Sequence, residues 1–279
     1  MANLFKAFLG LFVLLFAGTS SAQGRVDCST VDWSAFTDSS AACSFAVTTK
    51  CAGPPGCPAG VTYAASARYV RDEHFTVSAI TLADDTAWTV SVWVDLLSAG
   101  EANTNGLWGN TFAGANLDRG QVATGSTIYV YDAAGNSVNW VVGSILGAWT
   151  HLVFVADGTD ANNLVLYIND VSAGARTLAD SGQTVKMIAG LGSATQYSLD
   201  GEMASFGIWD GRALTVPDVA ALFAAGPDLL YVALSGAQKV SLAPWWDFEE
   251  ALGAQRNDSH GASHLADVNT VDQVEVIYP

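Results

Sequence analysis

The feature that most limits the fold is a series of short segments in which apolar and polar residues alternate. In Trp88–Leu96 the valines fall on one face and a mainly polar set falls on the other, as in a strand with one buried face. Further strands are predicted over residues 128–131, 138–142, 151–156, 164–169 and 203–209. The segment DAAGNS, between the strands at 128–131 and 138–142, is typical of a hairpin turn. Because the strands do not alternate with helices, the pattern predicts a two-sheet antiparallel sandwich.

A single short helix is predicted after residue 215. Thr215 is suited to cap it, and Asp218 stands three residues later as the acidic partner of a capping box. Val219, Leu222 and Phe223 then fall on one face. Gly226 and the proline after it end the helix.

The first 22 residues have the pattern of a secretory signal peptide. Lys6 precedes an apolar run over residues 7–17, and Ser20 and Ala22 are small residues at the two positions that determine cleavage. The run is too short for a comfortable membrane span, which needs about 20 residues. We therefore expect cleavage before Gln23, no membrane span, and a protein that is secreted, either extracellular or at the cell surface.

All four cysteines lie in a Ser-, Ala-, Gly- and Pro-rich segment over residues 23–60, at Cys28, Cys43, Cys51 and Cys57. In an exported chain an even number of cysteines predicts disulfides. Three pairings are possible, and the turn in CAGPPGC favours Cys51–Cys57 with Cys28–Cys43. A disulfide-stapled N-terminal segment is therefore expected before the sandwich.

The charge balance is acidic, with 27 Asp and Glu against 11 Lys and Arg and a formal net charge of −16. Such a surface repels phosphate backbones, so nucleic acid is not an expected partner.

Three segments in order resemble the laminin-G-like branch of the concanavalin-A-like superfamily. They are ARYVRDEHFTVSAITLADDTAWTVSVWV (67–94), GAWTHLVFVADGTDANNLVLYINDVSAG (147–174) and LDGEMASFGIWDGRALTVPDVAALFAAG (199–226). The second is similar to the family's strongest pattern, Gly-x-Trp-x-His followed by a strand, a polar turn and Leu-Tyr-apolar-Asn. The resemblance implies an all-β jelly-roll sandwich with one short helix over residues 61–235. It also implies a binding or adhesion role toward glycans or glycoproteins.

The C-terminal tail, residues 236–279, departs from the family pattern. Its segment WWDFEEALGAQRNDSHGASHLADVNTV is similar to the family's opening strand, which is absent from the expected place. The tail could complete the sandwich of its own chain, begin a second copy, or pair with a neighbouring molecule. We expect it to pack in its own chain, and pairing with a neighbour would give self-association.

Candidate ligand-binding residues come from a glycine-rich segment, NTNGLWGNTFAGANLDRG, which is interpreted as a loop at one end of the sandwich. Exposed tryptophans can stack on sugar rings, and planar polar groups can bind sugar hydroxyls. Trp93, Trp149 and Trp209 sit on strand patterns and are assigned to the core. The ligand candidates are Trp108, Asn110, Asn116, Asp118, Arg119 and Trp140.

A structural Ca²⁺ is expected from the resemblance and from clustered acids, since Ca²⁺ takes six to eight oxygen ligands. The metal-ligand candidates are Asp84, Asp85, Asp157, Asp160 and Asp258. The histidines at 260 and 264 are a weaker metal pair, because Gly261 between them disfavours a helix.

Catalysis is not expected. Glucanases share this architecture, but their Glu-x-Asp-x-x-Glu pattern is absent, as are a Gly-x-Ser-x-Gly elbow and a Ser, His and Asp grouping. Asp247 and Glu249 are the only acids two apart on a predicted strand, the spacing a retaining glycosidase would need. The sequence favours a non-catalytic binding protein. A structural subunit of a surface layer, fibre or virion decoration is the alternative, and a glycan-cleaving enzyme is the third.

Overall fold

A computed structural model describes residues 62–69, 74–110, 118–159, 163–191, 197–248, 256–268 and 272–278. The predicted signal peptide, the four cysteines, Asn116 and Asp160 lie outside these residues. The described residues form strands and one α-helix. The strands are β1 (Thr62–Tyr69), β2 (His74–Leu82), β3 (Trp88–Leu96), β4 (Thr104–Gly109), β5 (Arg119–Ala123), β6 (Thr127–Tyr131), β7 (Ser137–Val141), β8 (Thr150–Ala156), β9 (Leu164–Ile168), β10 (Val171–Arg176), β11 (Gln183–Ile188), β12 (Gly201–Asp210), β13 (Leu242–Trp246), β14 (Ala266–Val268) and β15 (Asp272–Tyr278). The helix is α1 (Val216–Ala225).

The strands form two antiparallel sheets, as the alternation predicts. The first sheet has the order β10-β9-β8-β3-β12-β1-β15, and β13 also pairs with β12. The second sheet has the order β14-β2-β11-β4-β5-β6-β7. Among the described residues no helix is long and apolar enough to cross a membrane. The prediction of an all-β, two-sheet jelly-roll sandwich is confirmed.

The main core lies between the two sheets. The valines of β3 and Leu96 are fully buried in it, and so is Phe154 of β8. Trp108 of β4, in the second sheet, meets Phe154 with ring centroids 4.8 Å apart in an edge-to-face arrangement. The predicted alternation of Trp88–Leu96 is therefore the alternation between this core and the outer face of the first sheet.

A second, smaller apolar cluster covers the outer face of the first sheet. It contains Val153 of β8, Trp209 of β12 and Trp245 of β13, together with Val219 and Leu222 of α1. The helix is held by the predicted capping box between Thr215 and Asp218, and Gly226 ends it. The helix prediction is confirmed.

The C-terminal tail contributes strands to both sheets. Strand β13 pairs with residues 206–209 of β12, on the same edge where β1 pairs with residues 201–203. Strand β14 pairs with β2 at the edge of the second sheet. Trp246 is fully buried in the main core, where its ring centroid lies 5.6 Å from that of Phe206.

Candidate functional site

The outer face of β5, β6 and β7 carries a regular array of outward side chains. The cross-strand register places Arg119, Tyr131 and Ser137 in one row and Gln121, Tyr129 and Asn139 in the next. A third row has Ala123, Thr127 and Val141. The side chains between these, such as Ile128 and Val130, point into the core. We call this nine-residue array the tyrosine face.

Arginine and tyrosine side chains are packed together on the tyrosine face. The guanidinium carbon of Arg119 lies 3.8 Å from the ring centroid of Tyr131. Arg119 Nε donates a hydrogen bond to Gln121 Oε1 at 3.1 Å. The rings of Tyr129 and Tyr131 stack with centroids 5.8 Å apart and planes 25° apart. Both tyrosines are half-buried, so part of each ring and its polar end meet solvent.

An acidic site adjoins the tyrosine face at the start of β5. Asp118 is 4 % exposed, and its Oδ2 accepts hydrogen bonds from the Thr184 backbone N–H at 2.9 Å and from Asn110 Nδ2 at 3.3 Å. Asp118 Oδ1 and Asn110 Oδ1 are both buried and have no hydrogen-bond partner among the described residues. We call Asn110, Asp118 and the neighbouring Asp180 the acid rim.

Burial raises the pKa of Asp118, and the nearby charge of Asp180 raises it further, while the Thr184 N–H works in the opposite direction. Ionised Asp118 is therefore under-compensated, because a buried carboxylate oxygen without a partner costs free energy. Oxygen atoms of this kind are ligands that Ca²⁺ uses. The described residues include no group of three or more His, Cys, Asp or Glu that could hold a metal ion.

The structure brings some of the predicted metal ligands to one end of the sandwich. Asp84 Oδ1 accepts hydrogen bonds from the Ser181 N–H at 2.8 Å and Oγ at 3.0 Å, next to Asp180. Asp85 lies in the same turn as Asp84. A Cβ added at Gly158 would lie 3.1 Å from the Asp85 carbonyl oxygen, so the loop that contains Asp157 packs against this turn. Burial acts to raise the pKa of Asp84, but the Ser181 hydrogen bonds outweigh it and the pKa is lowered.

Two of the predicted metal ligands, Asp157 and Asp258, accept hydrogen bonds that stabilise their own loops. Asp157 Oδ1 accepts hydrogen bonds from Thr159 N–H at 2.9 Å and Oγ at 2.7 Å. The Asp258 carboxylate accepts three backbone N–H bonds of 2.9–3.0 Å, from Trp245, His260 and Ser263. Because both Asp258 oxygens are used this way, the carboxylate joins the tail loop to β13 and the structure gives no support to a cation there.

The assignment of Trp108 to an exposed loop is wrong. It lies in β4 and is fully buried, and its Nε1 donates to Gln183 Oε1 at 3.2 Å. The glycines that suggested a loop make room for packing instead. A Cβ at Gly120, opposite on β5, would lie 2.3 Å from the Trp108 ring.

The assignment of Trp140 as a sugar-stacking residue is also wrong. It is 1 % exposed, points into the core from β7, and donates from Nε1 to the Gly174 carbonyl of β10 at 2.8 Å. Arg176 Nε donates to the Asn139 carbonyl at 3.1 Å beside it. Trp140 therefore closes the gap between the edge strands of the two sheets.

Asn110, Asp118 and Arg119 are the predicted ligand residues that the structure brings together. The tyrosines beside them were missed, although TIYVY at 127–131 alternates in the same way as β3. The residues that alternate with the buried Ile128 and Val130 are tyrosines, and this pattern indicates an aromatic outer surface. His151 is a buried, packed histidine. Its Nε2 lies 2.8 Å from Ser91 Oγ and its ring stacks on Trp93 at 4.8 Å.

Comparison with known protein families identifies the superfamily of the chain. The family model Laminin_G_3, described as the concanavalin A-like lectin/glucanases superfamily, matches residues 70–220, which is more than half of the chain. The chain belongs to this superfamily. The match covers the strands of the tyrosine face and the acid rim. None of the curated proteins matches the sequence.

Several solved structures are similar to this chain at low sequence identity. A protein of Bacteroides ovatus that is proposed to bind carbohydrate is similar with a TM-score of 0.54 and 11% identity, over 77% of this chain and 59% of that one. The chain thus spans less than two thirds of that protein. A heptameric SAP-like pentraxin of Limulus polyphemus is similar with a TM-score of 0.48 and 17% identity, over 77% of this chain and 94% of that one. A Ruminococcus gnavus sialidase CBM40, solved with α2,3-sialyllactose, gives a TM-score of 0.39 and 11% identity, over 55% of this chain and 98% of that one.

Proposed function

We propose that this protein is a non-catalytic binding protein that holds a glycan on the tyrosine face. The observation that carries the proposal is the half-buried Tyr129–Tyr131 pair beside Arg119 and the exposed Asn139 on the outer face of β5, β6 and β7. A pyranose ring offers apolar C–H faces to aromatic rings and hydroxyls to planar polar groups, and the tyrosine face presents both kinds of partner. Membership in a superfamily of lectins and glucanases supports the proposal.

The face is already organised without a ligand. Tyr131 is in contact with the Arg119 guanidinium on one strand and with Tyr129 along its own strand. Side chains held by neighbours lose less conformational entropy on binding, so a rigid strand face favours affinity. Asn139 is exposed opposite Tyr129 and is free to contact a sugar hydroxyl.

Glycan-array screening followed by calorimetric titration tests the proposal. Tyr129→Ala and Tyr131→Ala should each weaken binding by about ten-fold or more, since burying one large apolar side chain is worth roughly 1.5–3 kcal/mol. Val171→Ala is the matched control, because Val171 is 67% exposed on β10 of the other sheet. Binding that survives both tyrosine variants would place the ligand elsewhere.

We propose that Ca²⁺ occupies the acid rim and fixes the end of the tyrosine face. The unpaired oxygens of Asp118 and Asn110 fit the ion, and Asp180 adds negative charge beside them. A bound divalent cation would compensate the buried charge of Asp118, which directly precedes Arg119. These residues replace Asp85, Asp157 and Asp258 as the proposed ligands.

Thermal unfolding with and without calcium tests this site. At a concentration about 100 times the Kd, binding to the folded state alone adds about 2.7 kcal/mol, and the melting temperature rises by about 2–4 °C per kcal/mol for a protein of this size. Asp118→Asn should abolish the rise, whereas Asp258→Asn should keep it. An equal rise in both variants would show that calcium acts at another place.

We propose binding without cleavage. Asp247 is one of the two acids whose sequence spacing would fit a retaining glycosidase. Its carboxylate accepts hydrogen bonds from the Tyr231 N–H at 2.8 Å, Trp245 Nε1 at 2.6 Å and Ser259 Oγ at 2.6 Å. A carboxylate engaged on both oxygens is poorly placed to act as a nucleophile or an acid. Release of reducing ends from a glycan that binds would overturn this point.

We also propose that the protein acts outside the cell, because residues 1–22 have the pattern of a signal peptide. N-terminal sequencing of the secreted protein should begin at Gln23. Peptide mapping without reductant should find no free thiol among Cys28, Cys43, Cys51 and Cys57; two or more free thiols would contradict the disulfides.

A further inference from the structure

We infer that the tyrosine face selects acidic glycans, and that Arg119 binds the carboxylate of the sugar. The inference rests on the proposed glycan-binding function and names the ligand class of that same site. Three features of the structure support it: the contacts that fix the Arg119 side chain, the lack of other charged side chains on the tyrosine face, and the polar side chains of β7.

Arg119 is held in place by contacts that leave its terminal nitrogens available. The Tyr131 ring lies 3.8 Å from the guanidinium carbon, and Nε donates to Gln121 Oε1. The two Nη atoms donate to no described residue. The planar guanidinium therefore presents a fixed pair of donors, which matches the two oxygens of a carboxylate.

The local charge of the tyrosine face is opposite to that of the protein. Arg119 is the single charged side chain among the nine members of the face, whereas the whole chain has a net charge of −16. One ion pair lies away from this face, between Arg212 and Asp218 at 2.9 Å. Arg119 thus has no acidic partner within the described part of the chain, although acids are abundant, and an acidic ligand would supply one.

The neighbouring acid does not take this role. Asp118 is next in sequence, but it is buried and its Oδ2 is bound to Thr184 and Asn110. Side chains that can bind sugar hydroxyls lie on β7, separated from Arg119 by the tyrosines of β6: Ser137 is across from Tyr131 and Asn139 is across from Tyr129. A sugar ring lying along the tyrosines would place its carboxylate at one end, on Arg119.

The test compares each acidic sugar with a neutral counterpart of the same skeleton. The probes are oligogalacturonides against their methyl esters, and sialyllactose against lactose, titrated by calorimetry into the full-length secreted protein. We expect at least one acidic member to bind about ten- to hundred-fold more tightly than its neutral counterpart, the range of one charge-assisted bidentate contact. A sulfated oligosaccharide is included, because a sulfate can also bind a guanidinium.

Variants separate the role of Arg119 from a general loss of the site. Arg119→Gln should weaken binding of the acidic member about ten-fold more than binding of the neutral member, so that the preference is lost, and Arg119→Lys should keep only part of the preference. Asn139→Ala should weaken both members of a pair alike. Melting curves establish that each variant is folded.

The outcomes distinguish this inference from the proposed function. Equal binding of acidic and neutral members, or an equal loss of both in Arg119→Gln, overturns the acidic preference and leaves glycan binding standing. Tighter binding of the sulfated sugar than of any carboxylate overturns the assignment to a carboxylate. If no glycan of the array binds, the proposed function fails, and this inference fails with it.

Discussion

Replacing Gly120 by alanine tests whether Trp108 is a core residue. The added Cβ would lie 2.3, 2.4 and 2.5 Å from three atoms of the Trp108 ring, closer than real side chains approach. The ring is also held by Phe154 and by its hydrogen bond to Gln183, so it has little room to move. Overpacking of this kind costs about 1–3 kcal/mol. The melting temperature should fall by about 2–4 °C for each kcal/mol.

Two further variants make the test specific. Gly143→Ala is the matched control, because nothing lies within 4 Å of a Cβ there, and it should melt like the parent. In a Trp108→Leu background the ring atoms that clash are gone, so Gly120→Ala should cost much less than in the parent. The assay is thermal and urea unfolding of the parent, the three single variants and the double variant. A Gly120→Ala variant as stable as Gly143→Ala would mean that the Trp108 ring is not seated between the sheets.

Other predictions concern the helix, the tail and a buried histidine. Thr215→Ala removes the capping box and should lower the free energy of unfolding by about 1 kcal/mol in urea titrations; no change would show that the cap contributes nothing. A chain ending at Gly236 lacks the buried rings of Trp245 and Trp246 and should aggregate or melt well below the parent by size-exclusion chromatography and calorimetry; equal solubility and melting temperature would mean that the tail is not part of the fold. Burial lowers the pKa of His151 from 6.5 to about 3. Below pH 6.5 the unfolded chain therefore binds a proton that the folded protein does not, and stability should fall by about 2 kcal/mol between pH 6.5 and 5. His151→Phe should flatten that slope, and an unchanged slope would assign it to other groups.

The fold was predictable because its strands carry a strong alternation. Trp88–Leu96 has the same bounds as β3, and the capping box of Thr215 fixes the start of α1. Such patterns depend on near neighbours in sequence, which a single sequence shows directly.

The site was predicted only in part, because it depends on pairing between strands. Asn110, Asp118 and Arg119 were found from their polar character, but their link to Tyr131 needs the register of β5 with β6. Trp108 was misplaced because its neighbours are glycines, and the need for glycine at position 120 arises from a ring on another strand. Composition indicates a loop there, and only tertiary packing reveals a buried strand.

The position of β13 has a consequence for the timing of folding. Residues 206–209 of β12 take their partner from residues 242–246, so this central strand is completed by a segment that the ribosome makes after it. Until then Phe206 and Trp209 lack the tryptophans that contact them in the folded protein. A nascent chain would therefore expose an apolar strand edge during synthesis, the kind of surface that chaperones bind. A chaperone bound to this edge should release the chain only after the C-terminal tail has been synthesised and β13 has paired with β12.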